Sequence, residues 1–161
     1  MTDILPVELS HPQLNALIQQ LDDYQTGLYP PQSQHLLSPA QMARLKTFAW
    51  LARVRGEAAG CACLVIHPDG IAEVKRVYVA PGFRGYGIAS GLLSALEAEA
   101  RELGLDTLWL ETGIYQPDAI ALYDKWGYFP TAAFGAYCDD PLSVYWVKTL
   151  TSPTAQRPKI D

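Results

Sequence analysis

The stretch AEVKRVYVAPGFRGYGIASGLLSALEAEAR, Ala72 to Arg101, constrains the fold more than any other part of the chain. Val77, Tyr78 and Val79 close a β-rich run. Ala80-Pro81-Gly82 ends it, because proline has no ladder donor and glycine bends freely. A glycine-rich loop follows, Arg84-Gly85-Tyr86-Gly87-Ile88-Ala89. Apolar residues then recur at helical spacing through Leu92, Leu93, Leu96, Ala100 and Leu103. A strand, a tight loop and a helix start make a place for an anion. The first N–H groups of a helix lack intrahelical acceptors, and the helix dipole adds partial positive charge there. Gly85 and Gly87 put no side chain between a ligand and the backbone, and Arg84 adds a forked cation. A pyrophosphate is expected across Arg84, Gly85, Tyr86, Gly87, Ile88 and Ala89.

The flanks specify what surrounds this unit. Ile4 to Glu8 reads as a first strand. Ser10-His11-Pro12-Gln13 reads as a capping box with Ser10 at the N-cap, Leu9 and Leu14 forming a staple. Leu14, Leu17, Ile18 and Leu21 give that helix one apolar face, and Tyr29-Pro30-Pro31 stops it. Ser38-Pro39-Ala40-Gln41 repeats the start signal for a short helix through Leu45. Phe48–Arg55, Ala58–His67 and Ile71–Val79 are strands on short turns, hence an antiparallel meander. Gly104 stops the central helix, and Thr107–Thr112 is the next strand, reached by a right-handed parallel crossover. Gln116-Pro117-Asp118 opens a helix to Trp126. Strands at Tyr128–Phe134 and Ser143–Leu150 follow. The fold class is α/β (α+β): a mixed central sheet of about seven strands flanked by about four helices, in the order β-α-α-β-β-β-α-β-α-β-β. Residues 1–150 read as one domain, and 151–161, polar with two prolines, as a frayed tail.

Composition narrows the partners. A net charge of −5 argues against nucleic acid and for tolerance of cationic ligands. The start lacks a basic segment followed by an apolar run, and no run approaches membrane-spanning length, so a cytoplasmic protein without a membrane partner is expected. Cys61 and Cys63 lie two apart on a strand, sharing a face as small buried thiols in a reducing compartment. With Cys138 they match no zinc spacing, so no metal is expected.

The loop Arg84, Gly87, Ala89 fits the pattern Gln/Arg-x-x-Gly-x-Gly/Ala and resembles the GCN5-related N-acetyltransferases (GNAT). Val77-Tyr78-Val79 with Pro81 is similar to that family's preceding strand. Ala119 to Tyr128, AIALYDKWGY, is similar to its downstream helix A-x-x-L-Y-x-x-x-G-F. The resemblance covers roughly residues 45 to 150. It implies acetyl-CoA as the cofactor, CoA as a product and a primary amine as the acceptor, on a small molecule or a peptide. Oligomeric state stays open between monomer and homodimer. Tyr145 and Trp146 are either association surface or core.

Acyl transfer to an amine needs a neutral amine, stabilisation of the thioester oxygen and a proton for the departing sulfur. The resemblance implies that Val77 N–H polarises the thioester carbonyl, that Tyr78 and Val79 run along the pantetheine arm between two splaying parallel strands, and that Tyr123 serves the sulfur. Gln116 stands where the family commonly has asparagine; its roles are an arm contact or a helix cap. Glu73 is a candidate base, weighed against a solvated ion pair with Lys75, and Glu111 is a rival base or acceptor ligand. The acceptor wall, by analogy between the first helices and the final hairpin, takes Tyr29, Ser33, His35, Phe134, Gly135, Tyr137, Asp139 and Asp140. His11 and His67 receive no role. Two other readings compete. A dinucleotide fingerprint would use Gly85-x-Gly87 with Glu111, but Ser90 occupies its third glycine position and Ala80–Arg84 intervenes. A non-catalytic acyl-CoA sensor would keep the loop and make Tyr123 dispensable.

Overall fold

The computed structural model describes residues 1–150; the tail expected over 151–161 lies outside the described residues. Strand β1 is Thr2–Val7 and helix α1 Pro12–Leu28. A 3-10 turn at Pro31–Ser33 leads to α2, Pro39–Ala43. The meander is β2 (Lys46–Val54), β3 (Glu57–Ile66) and β4 (Ala72–Val79). Helix α3 is Ile88–Glu102, β5 Thr107–Gly113, α4 Pro117–Lys125, β6 Phe129–Thr131 and β7 Ser143–Thr149. The strands form one mixed sheet ordered β1-β2-β3-β4-β5-β7-β6, the expected class and element order. Among the described residues, only the β4–β5 pair is parallel. Among the described residues, no helix is long and apolar enough to cross a membrane.

Strand β3 is the axis of the core. Its central residues, Ala59 to Val65, are buried on both faces, which is why this stretch reads as an unbroken run of small and apolar residues rather than an alternation. Cys61, Cys63 and Val65 face Leu14, Leu17 and Ile18 of α1. Ala62 and Leu64 face Leu92, Leu93 and Leu96 of α3, in a cluster that also takes in Tyr123 of α4. Gly60 is required by this packing: a Cβ there would stand 2.8 Å from Tyr78 O and 3.1 Å from Ile88 Cγ2. Tyr145 and Trp146 are both buried, so they belong to the core.

Two local expectations are corrected. The N-cap of α1 is His11, not Ser10: His11 Nδ1 accepts from Gln13 N at 3.1 Å, and Pro12 takes the first helical position. Leu9 does pack against the cluster that holds Leu14, and Asn15 Nδ2 also reaches back to Leu9 O at 2.7 Å and His11 O at 3.0 Å. Strand β6 stops at Thr131 rather than Phe134. It carries Pro130 and lies on the sheet edge, where proline is tolerated. The capping box of α2 forms as read, Ser38 Oγ accepting from Gln41 N and Gln41 Oε1 from Ser38 N.

Two irregularities of β4 create the site. First, Arg76 has φ 55° and the register with β3 jumps from Cys63↔Lys75 to Cys61↔Tyr78, so Arg76 and Val77 together oppose Ala62. This is a β-bulge. Glu73 and Lys75, opposite Val65 and Cys63, face α1; Val77 and Val79 pack on the α3 side. Second, β5 is registered with β7 along all of Thr107–Gly113 but with β4 only at Glu73↔Trp109. Beyond Glu73 the two parallel strands part.

Candidate functional site

The loop between β4 and α3 has the geometry of an anion cradle. Gly85 and Gly87 have φ 87° and 75°, a region that strains any residue with a Cβ. Gly87 is the N-cap of α3 and supplies no side-chain cap to its N–H groups. No heavy atom lies within 4 Å of where a Cβ would stand at either glycine. Ile88 is buried and anchors the helix start, while Tyr86 is 76 % exposed. Arg84 folds back, its Nε donating to Val79 O at 3.0 Å, so it ties the loop to the end of β4 as well as charging it. Trp126 Nε1 donates to Ser90 Oγ at 3.2 Å and fixes α4 against α3.

The cradle opens into a cleft of about 440 Å³ between the end of β4 and the start of α4. Val77, Tyr78, Val79 and Ala89 line it from one side, Gln116 and Tyr123 from the other. Ala80 N donates to Ala59 O, back toward β3. Successive N–H groups of an extended strand point to opposite edges, so those of Val79 and Val77 turn toward the gap.

Tyr123 stands where the cleft narrows. It is only 6 % exposed, and its ring meets Tyr128 edge-on at 5.6 Å. Burial, and then the Glu111 charge, push its phenol well above the usual value near 10, so it keeps its proton.

Beyond the narrowing lies a cluster of charged and aromatic groups. Glu73 is 3 % exposed: its Oε1 lies 2.9 Å from His67 Nε2, and its Oε2 accepts from Tyr137 OH at 2.5 Å and Lys75 Nζ at 3.3 Å. The Glu73–Lys75 pair is therefore buried and hydrogen-bonded, which corrects the solvated reading. Lys75 Nζ also donates to Tyr137 OH at 3.1 Å and His35 O at 3.4 Å. Burial and the adjacent Glu73 carboxylate push the Tyr137 phenol up. Glu111, on β5, accepts from Ser143 Oγ at 2.7 Å; burial raises its pKa against the opposing effect of that bond. His35 Nε2 meets Asp140 Oδ2 at 2.9 Å, joining the α1–α2 connection to the β6–β7 loop. Phe134 packs on Trp109 at 5.4 Å and Tyr137 at 5.0 Å.

The structure brings Glu73, Glu111, His35, Phe134 and Tyr137 together and leaves Tyr29 outside. Tyr29 is buried, donates to Gln116 Oε1 at 3.2 Å, accepts from Tyr115 N at 3.0 Å and stacks on Tyr115. Gln116 holds the N-cap position of α4 without capping it, accepting instead from Tyr29 OH and from Gly113 N at 3.3 Å. His67 is the residue that sequence reasoning missed. Its signal was the hairpin register: Ile66 pairs with Ala72, which puts His67 diagonal to Glu73.

Three spaces meet here. A compartment of about 680 Å³ lies between the α1–α2 connection, the β3–β4 hairpin and the β6–β7 loop, with Glu73 and Lys75 in its lining. The cleft lies on the other side. A passage of about 70 Å³ joins them, lined by His35, Glu73, Val77, Glu111 and Tyr123. Two ligands entering from opposite ends would meet between a phenol that keeps its proton and a pair of carboxylates.

Residues 14–128 match the Acetyltransferase (GNAT) family. The chain is 44% identical over 135 residues to an IAA acetyltransferase of Azospirillum brasilense, covering 83% of this chain and 88% of that protein. It is 29% identical over 146 residues to the uncharacterised N-acetyltransferase YsnE of Bacillus subtilis (strain 168), covering 89% and 96%. The crystal structure of a protein assigned as an acyl-CoA N-acyltransferase, from Klebsiella pneumoniae subsp. pneumoniae MGH 78578, superposes with a TM-score of 0.79 at 40% identity over 94% of this chain and 99% of that one.

Proposed function

The chain belongs to the acetyltransferase (GNAT) family, and from that premise we propose that it moves an acetyl group from acetyl-CoA to a primary amine by direct transfer between two ligands bound at once. The residues present fit that cofactor. The open glycines at the start of α3 suit a pyrophosphate, and the gap between β4 and β5 suits an extended amide-bearing arm. Acetyl-CoA, when bound, supplies an acetyl group activated as a thioester.

The chain's own residues do the rest. Arg84, Gly85, Gly87 and Ala89 hold the phosphate end. The Val77 and Val79 N–H groups, facing the gap, orient the arm and the carbonyl. Tyr123 holds a proton at its hydroxyl for the departing sulfur. Glu111 takes the proton of the acceptor ammonium at Oε1, since Oε2 is bonded to Ser143. An amine with pKa near 10 must lose that proton before it can attack. Glu73, whose oxygens already meet three partners, positions His67, Lys75 and Tyr137 rather than serving as the base. Cys61 and Cys63 lie in the core on the α1 side, where burial pushes the Cys63 thiol up to about 12. That supports a route without a cysteine-bound acyl group.

The passage joining the two spaces, with Tyr123 and Glu111 in its wall, is the observation that carries this reading. Thermal unfolding with acetyl-CoA, CoA, NAD and NADP tests it, because a ligand that binds only the native state raises Tm by mass action. Acetyl-CoA and CoA should raise Tm while both dinucleotides leave it unchanged. A shift with the dinucleotides alone would sink the assignment.

A further inference from the structure

The larger compartment has a chemical preference of its own. Leu36, Leu37, Ile71 and Phe134 make its walls predominantly apolar. The basic side chains in its lining are all engaged. Lys75 Nζ has three acceptors within 3.4 Å, His67 is paired with Glu73, and His35 is paired with Asp140. Arg76, just beyond the compartment on the same face of β4, is buried and paired with Asp22 at 2.8 Å. An anionic group on the acceptor would therefore meet no uncommitted counter-charge among the described residues, and desolvating it there would be costly. A cation fares better. It faces the Glu111 carboxylate at the passage and the aromatic rings of Phe134 and Tyr137. The passage is small, about 70 Å³ against about 680 Å³ behind it, which suits a slender chain better than a bulky body.

We infer that the acceptor is a primary amine on an unbranched methylene arm extending from an apolar, ring-sized body, with no carboxylate, phosphate or phosphonate. This rests on the acetyltransferase reading and specifies the acceptor side of the same site. The body fills the larger compartment, the arm threads the passage, and the nitrogen arrives beside Tyr123. The transfer balances: the amine nitrogen forms a bond to the acetyl carbon, the carbon–sulfur bond breaks, and the ammonium proton leaves through Glu111. Tyr123 supplies a proton to the sulfur and takes back the second proton, which the nitrogen sheds as the amide forms.

The test is a set of amines on the unmodified enzyme, with thiol release as the rate readout and Tm with acetyl-CoA measured in parallel. The set is 2-phenylethylamine, L-phenylalanine (the same skeleton plus a carboxylate), 1-phenylethylamine (branched at the amine carbon), 2-aminoethylphosphonate and spermidine. 2-Phenylethylamine should exceed L-phenylalanine and 2-aminoethylphosphonate in kcat/KM by about a hundredfold. It should exceed 1-phenylethylamine and spermidine by about tenfold. L-Phenylalanine or the phosphonate equalling it would overturn the charge argument. Parity with 1-phenylethylamine would overturn the passage argument, and parity with spermidine the apolar-body argument. If acetyl-CoA raises Tm and no amine in the set is acetylated, the inference fails and the cofactor reading stands. If acetyl-CoA leaves Tm unchanged, the function fails and the inference with it.

Discussion

Burial raises both Tyr123 and Glu111, which the proposed function puts on opposite sides of a proton transfer. Burial holds the Tyr123 phenol above its usual value, so it stays a donor at neutral pH. Tyr123→Phe removes one hydroxyl and keeps the packing against Tyr128. We expect kcat to fall about a hundredfold with acetyl-CoA affinity unchanged, read by thiol release and by calorimetry. Unchanged turnover would point to a sensor rather than an enzyme. Burial also raises Glu111, which has two consequences of known sign. Turnover should rise with pH through that raised pKa, as the carboxylate becomes able to accept a proton. Stability should move the other way. A group whose pKa is raised on folding contributes fully below its unfolded value and loses that contribution as pH climbs through the folded one. Glu111→Gln should therefore match the parent in acid and become relatively more stable above it, while losing the acid limb of the rate profile. Denaturation series from pH 4 to pH 8 would show whether the curves diverge that way or stay parallel.

Elements set where these residues stand, and not all of that was written in the sequence. The order of elements along the chain, helix faces and the glycine loop followed from periodicity and punctuation, while the place of β7 between β5 and β6 did not: Leu14, Leu17 and Ile18 mark one face, Pro81 and Gly82 a strand end, Gly104 a helix stop. The pairing of His67 with Glu73, the loss of Tyr29 from the acceptor wall and the burial of the Glu73–Lys75 pair did not follow. Each depends on contacts between segments distant in the chain or on hairpin register, which local propensity does not encode. The contact between Tyr29, at the end of α1, and the turn from β5 to α4 is such a case. A Cβ on Gly113 would stand 1.8 Å from the Tyr29 hydroxyl, so Gly113→Ala must expel that ring. The cost should be about 3 kcal/mol, or roughly 6–12 °C in Tm for a chain of this size. Tyr29→Phe, which only forfeits two hydrogen bonds, should cost about 1–2 kcal/mol. Scanning calorimetry would separate the two, and equal losses would mean that the ring is not braced there.

On the scale of the whole molecule, two spaces on either side of a narrow passage would, under the proposed function, each hold one ligand, with both present together. Initial-rate lines at varied acetyl-CoA and amine should intersect rather than run parallel. Cys138, the one thiol lining the larger compartment, should be replaceable by serine with turnover kept within about twofold, since no acyl group is expected to rest on it. Parallel lines, or a dead Cys138→Ser variant, would put a covalent step back into the scheme. The extra residue at Arg76 bears on how this architecture can change. A strand without it would keep one parity from end to end, and Glu73 would share a face with Val77. With it, the upstream half would, under the proposed function, serve the acceptor and the downstream half the cofactor, so a single strand works in two phases. Gaining or losing one residue between Lys75 and Tyr78 would turn over everything on one side of the slip while leaving the length almost the same. Changes in twos would preserve the phase, and changes in ones would exchange the two rooms.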